Sequence, residues 1–282
     1  MRLKTAVLAA ACLAIGAAPA SALAKAKPAT PYYLSLGDSL AAGAQPNAAG
    51  KTLATNHGYA DFLYKTEKAK IPGLKLKKLG CLGESTISML TGGAFCPYAG
   101  TQLADAVKFI KTHKVVLITL DIGANEVDFC ASGLSVDPTC ITKGVASIQT
   151  NVPKILDTLR KAAGSKTKIA GMTYYDPFLA DYLVSPAGQS IATLSLTLAK
   201  SVNGALADAF KAKNVRVADV AAAFKTNAPF TRTGKLDGKT EPLAVVDICT
   251  FTYECTKPPV GPNIHATTLG YKTIAGVFAA KL

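Results

Sequence analysis

Two patterns place this chain in the α/β class, with a parallel sheet covered on both faces. Short apolar runs alternate with longer segments of helical period almost throughout, the order that successive βαβ units produce. The most strand-like run, Val115 to Leu120, is apolar on both faces, as a central strand between two helical layers must be. No internal repeat and no linker composition interrupts this order, so residues 25–282 are expected to form one domain.

Residues 1–24 stand apart. Arg2 and Lys4 precede an apolar stretch from Ala6 to Ala18, and Ala22-Leu23-Ala24 supplies small residues for cleavage. That is the form of a secretory signal peptide, and an exported protein is expected. A competing cleavage site at Ala20-Ser21-Ala22 would shift the start by two residues, and Cys12 is discarded with the leader. No later apolar run is long enough to span a bilayer.

The elements follow in order. Residues 25–30 lead loosely into a first strand over 31–36, which breaks at the turn Gly37-Asp38-Ser39. Gly43, Pro46 and Gly50 mark the 41–56 loop, expected to line a cleft. A helix over 58–70 would turn Tyr59, Phe62 and Leu63 inward. Leu74 to Leu79 alternates with lysine, as an edge strand does, and enters the turn Gly80 to Ser85. Thr101 suits the cap of a helix with Leu103, Ala106, Val107 and Ile110 on its apolar face.

Beyond the central strand lies Asp121-Ile122-Gly123-Ala124-Asn125-Glu126. A helix over 141–163 should bury Val145, Ile148, Val152, Ile155 and Leu159, with a kink at Pro153. Lys168 to Thr173 forms a fourth strand, followed by Tyr174-Tyr175-Asp176-Pro177. Ile191, Leu194, Leu198, Val202, Leu206 and Phe210 mark a long amphipathic helix, and Val215 to Val217 a short fifth strand. Residues 226–263 carry little periodicity. A last helix from near Thr267 would pack Leu269, Ile274, Val277 and Phe278.

Composition narrows the function. The full chain carries +13, and +11 remains after the leader, which holds two basic residues and no acid. The lysines are scattered and only Arg160, Arg216 and Arg232 follow the leader, so the basic clusters with interleaved aromatics of nucleic-acid binders are missing. Attraction to an anionic membrane or cell-wall surface fits the charge, as does a simple solvated surface. The exported part holds six cysteines in three sequence-local pairs, which predicts Cys81–Cys96, Cys130–Cys140 and Cys249–Cys255 out of 15 possible pairings. Without a Cys-x-x-Cys, and with three histidines in all, no metal site is expected.

The turns carry the chemistry. Gly37-Asp38-Ser39, Gly83-Glu84-Ser85 and Gly123-Ala124-Asn125 each follow a predicted parallel strand, so all three meet at the carboxyl edge of the sheet. They bring a serine hydroxyl together with three donors: the Ser39 N–H, the Gly83 N–H and the Asn125 amide. Acyl transfer needs that set, because negative charge develops on the carbonyl oxygen as the serine attacks. A base must come from His57, His113 or His265. His113 precedes the third strand, at the opposite edge. His57 follows a loop rich in breakers. His265 stands before the final helix, where a returning loop can deliver an imidazole to the rim, and is the expected base.

These blocks resemble those of the SGNH (GDSL) hydrolase family: Gly37-Asp38-Ser39-Leu40 near the start, then Gly83, then Gly123-Ala124-Asn125, then a late His265. The three local cysteine pairs are similar to those of secreted actinobacterial esterases and lipases in that family. The resemblance implies a flavodoxin-like three-layer sandwich with a five-stranded parallel sheet. It also implies Ser39 and His265 as catalytic pair, with Ser39, Gly83 and Asn125 as oxyanion hole. The string Gly37 to Ala41 nearly fits the Gly-x-Ser-x-Gly elbow of α/β-hydrolases as well, but that fold sets strands before its nucleophile.

Many members of the family carry an aspartate three residues before the histidine; Pro262 stands there in this chain. Its backbone carbonyl is expected to orient the ring in a Ser–His dyad, with Asp247 or Glu254 as alternative third members. Asp38 reads as a turn former and Glu126 as a structural hydrogen-bonding partner. Tyr174, Tyr175, Tyr253 and Phe251 are candidates for an acyl pocket, with the 41–56 and 226–263 loops shaping it. The expectation is a secreted, monomeric serine carboxylester hydrolase that acts on a small-molecule or lipid ester without a cofactor. A carbohydrate O-deacetylase with the same site and a non-catalytic secreted binding module are the alternatives.

Overall fold

A computed structural model describes residues 29–93, 96, 98–132 and 135–282; the leader assigned to residues 1–24 lies outside them. Five parallel strands form the main sheet: β1 (Pro31–Gly37), β2 (Lys75–Lys78), β3 (Lys114–Asp121), β4 (Lys168–Met172) and β5 (Arg216–Ala218). Their order is β2-β1-β3-β4-β5, the flavodoxin-like arrangement, whose direction of winding reverses between β1 and β3. Such a reversal opens a crevice at the carboxyl ends of those two strands.

The burial of each strand matches its place. Tyr33, Leu34 and Leu36 of β1 and Ile118 and Leu120 of β3 are fully buried, and β1 pairs with both neighbours (Leu34 with Lys77 and with Ile118). β2 is the edge strand its lysines predicted: Lys75 and Lys77 are exposed. Lys78 turns back to Asp61 at 2.9 Å and to the Thr55 carbonyl at 2.6 Å.

Among the described residues, six helices of nine residues or more pack around the sheet. α1 (Tyr59–Lys70) packs with α6 (Thr268–Ala279), where Tyr59 stacks on Phe278 with ring centroids 5.0 Å apart. α2 (Gln102–Thr112), α3 (Pro138–Ala163) and α4 (Pro186–Ala212) pack against one another in turn; α5 (Leu243–Phe251) sits beside α6. Thr101 caps α2 as its sequence predicts, accepting the Ala104 N–H at 3.0 Å. α3 starts three residues earlier than its apolar face suggests, because Asp137 caps it and Pro138 fills its first position. The helix then runs on through Pro153.

Two expectations need correction. Leu269 does not pack: it is 51% exposed, while Ile274 and Phe278 of the same helix are buried. Residues 226–263 are ordered rather than aperiodic. They hold a hairpin, Thr233–Leu236 with Lys239–Pro242, and then α5. Asp237 and Gly238 make its two-residue turn with φ of +48° and +82°, the left-handed pair that a tight hairpin needs. The disulfides join Cys81–Cys96, Cys130–Cys140 and Cys249–Cys255, each within its predicted local pair.

Candidate active site

The site grows out of the end of β1. Gly37 has φ of +134°, and a Cβ there would lie 2.0 Å from the Asp121 carbonyl oxygen, so only glycine lets β1 and β3 end this close together. Asp38 donates its N–H to that same carbonyl at 3.0 Å. Its side chain then caps the one-turn helix Ser39–Ala42 through the Leu40 N–H at 2.9 Å. Ser39 is thereby placed at the mouth of the crevice.

Asp38 is a turn former here, as its sequence context suggests, and it has a partner. Tyr174 donates its hydroxyl to Asp38 Oδ2 at 2.6 Å. Asp121 accepts the Ala41 N–H at 2.9 Å and the Tyr59 hydroxyl. Both carboxyls are essentially inaccessible, at 1% and 0% exposure. Burial, and then the charge of Asp38, push Asp121 well above the ordinary aspartate range, and burial raises Asp38 as well. Two buried like charges disfavour one another's ionisation.

The second turn is zipped against the first. Leu79 and Cys81 donate to the Ser35 and Gly37 carbonyls at 2.9 and 3.2 Å, which extends the β1–β2 pairing past the strands' ends. Gly83 follows with φ of +77° and nothing within 4 Å of where a Cβ would lie, so its backbone borders open space. Glu84, fully buried, accepts from Ser88, Tyr98 and Gln102. Gln102 in turn clasps Gly37 on both sides, accepting its N–H at 2.6 Å and donating to its carbonyl at 2.9 Å. This network, which the sequence motifs do not display, ties the first two turns together. Leaving any of its buried polar atoms unpartnered would cost about 1–3 kcal/mol.

The third turn hangs on the second. Asn125 donates one amide hydrogen to the Glu84 carbonyl at 2.9 Å, which leaves its other for a ligand. Glu126 accepts the Thr86 N–H at 2.5 Å, the structural role its position suggested. Ser39, Asn125 and His265 all line one pocket of about 90 Å³.

His265 arrives on the returning loop. Its carbonyl accepts the Tyr253 N–H at 3.1 Å, and Tyr175 donates to the Ile264 carbonyl at 2.7 Å. The ring partner differs from expectation: Nδ1 lies 2.7 Å from Asn263 Oδ1, so the Asn263 side chain takes the place assigned to the Pro262 carbonyl. The same Oδ1 accepts the His265 backbone N–H at 3.0 Å, while Asn263 Nδ2 donates to Thr52 Oγ1 at 2.9 Å. Flipping the amide would set Nδ2 against that backbone N–H, so the oxygen must face His265. Nδ1 therefore carries the proton, and Nε2 keeps its lone pair. Burial lowers the imidazole to about 4, which holds it neutral at ordinary pH.

The other candidates fall away from the ring. His57 is exposed and outside the pocket wall, and His113 stacks on Phe109 at 4.0 Å after α2. Asp247 lies in the field of Lys225 and Arg232. Burial, with the charge of Asp181, lifts Glu254 to about 7; among the described residues neither acid hydrogen-bonds His265. Tyr174 and Tyr175 line the pocket, but Phe251 and Tyr253 do not. The 41–56 and 226–263 loops stay outside its wall, which is built from residues within 38–40, 124–131, 136–141, 174–178, 195–203 and 264–265. Phe178, Val136, Ile141, Leu198 and Val202 supply the apolar lining. Only the tertiary packing of α3 and α4 could bring these residues together.

Comparison with solved structures finds the same fold. An extracellular lipase from Streptomyces rimosus superposes with a TM-score of 0.55 at 20% identity, over 89% of this chain and 99% of that one. A phospholipase A1 from Streptomyces albidoflavus gives 0.59 at 16%, over 90% and 100%. A lipase/acylhydrolase from Enterococcus faecalis gives 0.51 at 15%, over 88% and 93%. No curated protein sequence matches the chain. The model of the GDSL-like lipase/acylhydrolase family matches residues 35–273, from the strand that leads to Ser39 to the helix that follows His265, and the chain belongs to that family of ester hydrolases.

Proposed function

We propose that this ester hydrolase is a secreted serine enzyme working through an acyl-enzyme, with Ser39 as nucleophile and His265 as general base. The observation that carries this is the meeting of Ser39, Asn125 and a tautomer-fixed His265 in one pocket. His265 Nε2 takes the proton from Ser39 Oγ as that oxygen attacks the ester carbonyl. The oxyanion is held by the N–H groups of Ser39 and Gly83 and by the free amide hydrogen of Asn125. His265 then protonates the leaving alcohol, and a water activated by the same ring releases the acid. Side chains and backbone of this chain supply every step.

A one-domain catalytic chain preceded by a cleaved leader over residues 1–24 completes the proposal. Three local disulfides support an oxidising destination, and no helix among the described residues is long and apolar enough to cross a membrane. A charge of +11 after the leader favours contact with anionic lipid or cell-wall polymer. The apolar wall of Leu198, Val202 and Ile141 favours an alkyl acyl chain over the acetyl group of a deacetylase.

A fluorophosphonate probe is expected to label Ser39, read by peptide mass spectrometry, and to abolish hydrolysis of p-nitrophenyl butyrate in proportion. Full activity after labelling, or labelling elsewhere, would refute the nucleophile. The pH profile offers a second check. His265 acts as base only when neutral, and burial sets its proton loss near pH 4. So kcat/KM should climb with pH through about 4 and be level by about 6. An acid limb centred near 6.5, the ordinary histidine value, would show that the ring is neither buried nor uncharged as described.

A further inference from the structure

The donors that would hold the oxyanion stand on three separate turns. Ser39 opens a one-turn helix after β1, Gly83 belongs to the turn after β2, and Asn125 follows β3. Such a hole works because its donors are fixed in place before the charge develops. Yet the turns are built on glycine, with φ of +134° at Gly37, +77° at Gly83 and +121° at Gly123, and glycine backbone is the least restrained of all. Their spacing has to be set by what packs behind them.

Gln102, the first residue of α2, lies there fully buried. Its Oε1 accepts the Gly37 N–H at 2.6 Å and its Nε2 donates to the Gly37 carbonyl at 2.9 Å. Turning the amide over would set donor against donor and acceptor against acceptor, so the backbone of Gly37 fixes its orientation. Nε2 also reaches Glu84 Oε2 and the Tyr98 hydroxyl, each at 3.1 Å. The Gly37 carbonyl accepts a second bond, from the Cys81 N–H at 3.2 Å. First turn, second turn and Gln102 therefore meet at one carbonyl.

Glu84 passes the link on. Its carboxyl takes the Gln102 amide, while its own carbonyl accepts Asn125 Nδ2 at 2.9 Å. Gly83 is the residue before it. One side chain thus bonds the residue two before Ser39 and the residue next to Gly83, and it reaches Asn125 through a single intermediate. Gln102 itself is outside the pocket wall and does not touch substrate. We infer that Gln102 is the positioning residue of the oxyanion hole, setting the spacing of the Ser39 N–H, the Gly83 N–H and the Asn125 amide. This assignment rests on the acyl-transfer function proposed for Ser39.

Its effect belongs to the transition state. The apolar wall of the pocket binds the ester, and Gln102 is no part of that wall. The donors gain strength only as the carbonyl oxygen becomes charged, so a misplaced donor costs kcat rather than KM. Gln102→Met keeps the length of the side chain and removes its hydrogen bonds. Gln102→Asn keeps the amide but shortens its reach by one methylene, so that it no longer spans Gly37 and Glu84 together. Displacement of about 1 Å at a reacting group costs on the order of 10²-fold in rate.

The test reads kcat and KM on p-nitrophenyl butyrate, the inhibition constant of an alkyl trifluoromethyl ketone, and the pH profile. Ser39 Oγ bonds to the carbonyl carbon of that ketone; the π pair moves to oxygen and the serine proton to His265, so the adduct places an oxyanion in the hole. In Gln102→Met, kcat should fall about 10²-fold with KM within about twofold of wild type, and the ketone should bind more weakly by a similar factor. Gln102→Asn should fall between that variant and wild type. Because Asn263 and not Gln102 holds the His265 ring, the acid limb of kcat/KM should stay where wild type has it; a merely loosened structure would shift that limb and raise KM. A folded Gln102→Met with kcat within about threefold of wild type, or with its loss confined to KM while the ketone binds unchanged, would overturn the inference and leave Ser39 catalysis standing. So would failure of both variants to fold, since Gln102 would then be holding the fold and not the hole. No hydrolysis of any ester by wild type, together with no fluorophosphonate labelling, would overturn the function beneath it.

Discussion

Ser39→Ala is expected to lower kcat on p-nitrophenyl butyrate by on the order of 10⁶-fold, the scale of losing a serine nucleophile outright. The size follows from what is left in the pocket. Tyr174 and Tyr175 spend their hydroxyls on Asp38 and on the Ile264 carbonyl, and Ser195 spends its own on Ala192. Among the described residues that line the pocket no other hydroxyl is free to attack, so only His265 and the oxyanion donors remain to assist water. The substitution should spare the fold, because the turn is held by backbone and by Asp38 and Asp121 rather than by the Ser39 hydroxyl. Unchanged thermal unfolding with activity near the detection limit is the result to look for. A loss of tenfold or less in a folded variant would remove Ser39 from the reaction.

The parts of this site that sequence reveals are those bound to a strand end. Gly37, Gly83 and Gly123 all have positive φ, and each sits where a parallel strand gives way to a turn, so local chemistry and topology agree on their place. The wall of the pocket was hidden for the opposite reason. Leu198 and Val202 read as ordinary helical apolar positions, and only the docking of α4 beside the turn after β3 brings them to the pocket of Ser39. Gln102 was hidden too: within α2 it is one polar residue after a cap, and its grip on Gly37 spans 65 residues. The hairpin at Asp237-Gly238 is different, since that dipeptide is itself a turn signal, outweighed by the absence of alternation around it. Leu269 shows the limit of periodicity at a helix start, where the first turn of α6 projects beyond the core it enters.

Asn263 carries the second large effect. Its Oδ1 accepts from both the backbone N–H and the ring Nδ1 of His265, so it fixes the tautomer as well as the direction of the base. Asn263→Ala frees the ring to place its proton on Nε2, the wrong nitrogen for accepting from serine. Loss of tautomer control alone can reach about 10⁴ in kcat. A neutral acceptor stabilises the imidazolium less than a carboxylate does, so a loss of about 10²–10³ is expected here, with KM for a butyrate ester little changed. Asn263→Asp should behave in the opposite sense. It keeps the acceptor and adds a negative charge beside the ring, which favours the protonated imidazole and raises its pKa. Activity above pH 7 should survive or rise, while the acid limb of kcat/KM moves up from about 4 by one unit or more. Full activity in Asn263→Ala would hand the orienting role back to a backbone carbonyl such as that of Pro262. An acid limb unmoved in Asn263→Asp would mean that the ring titrating in the profile is not His265.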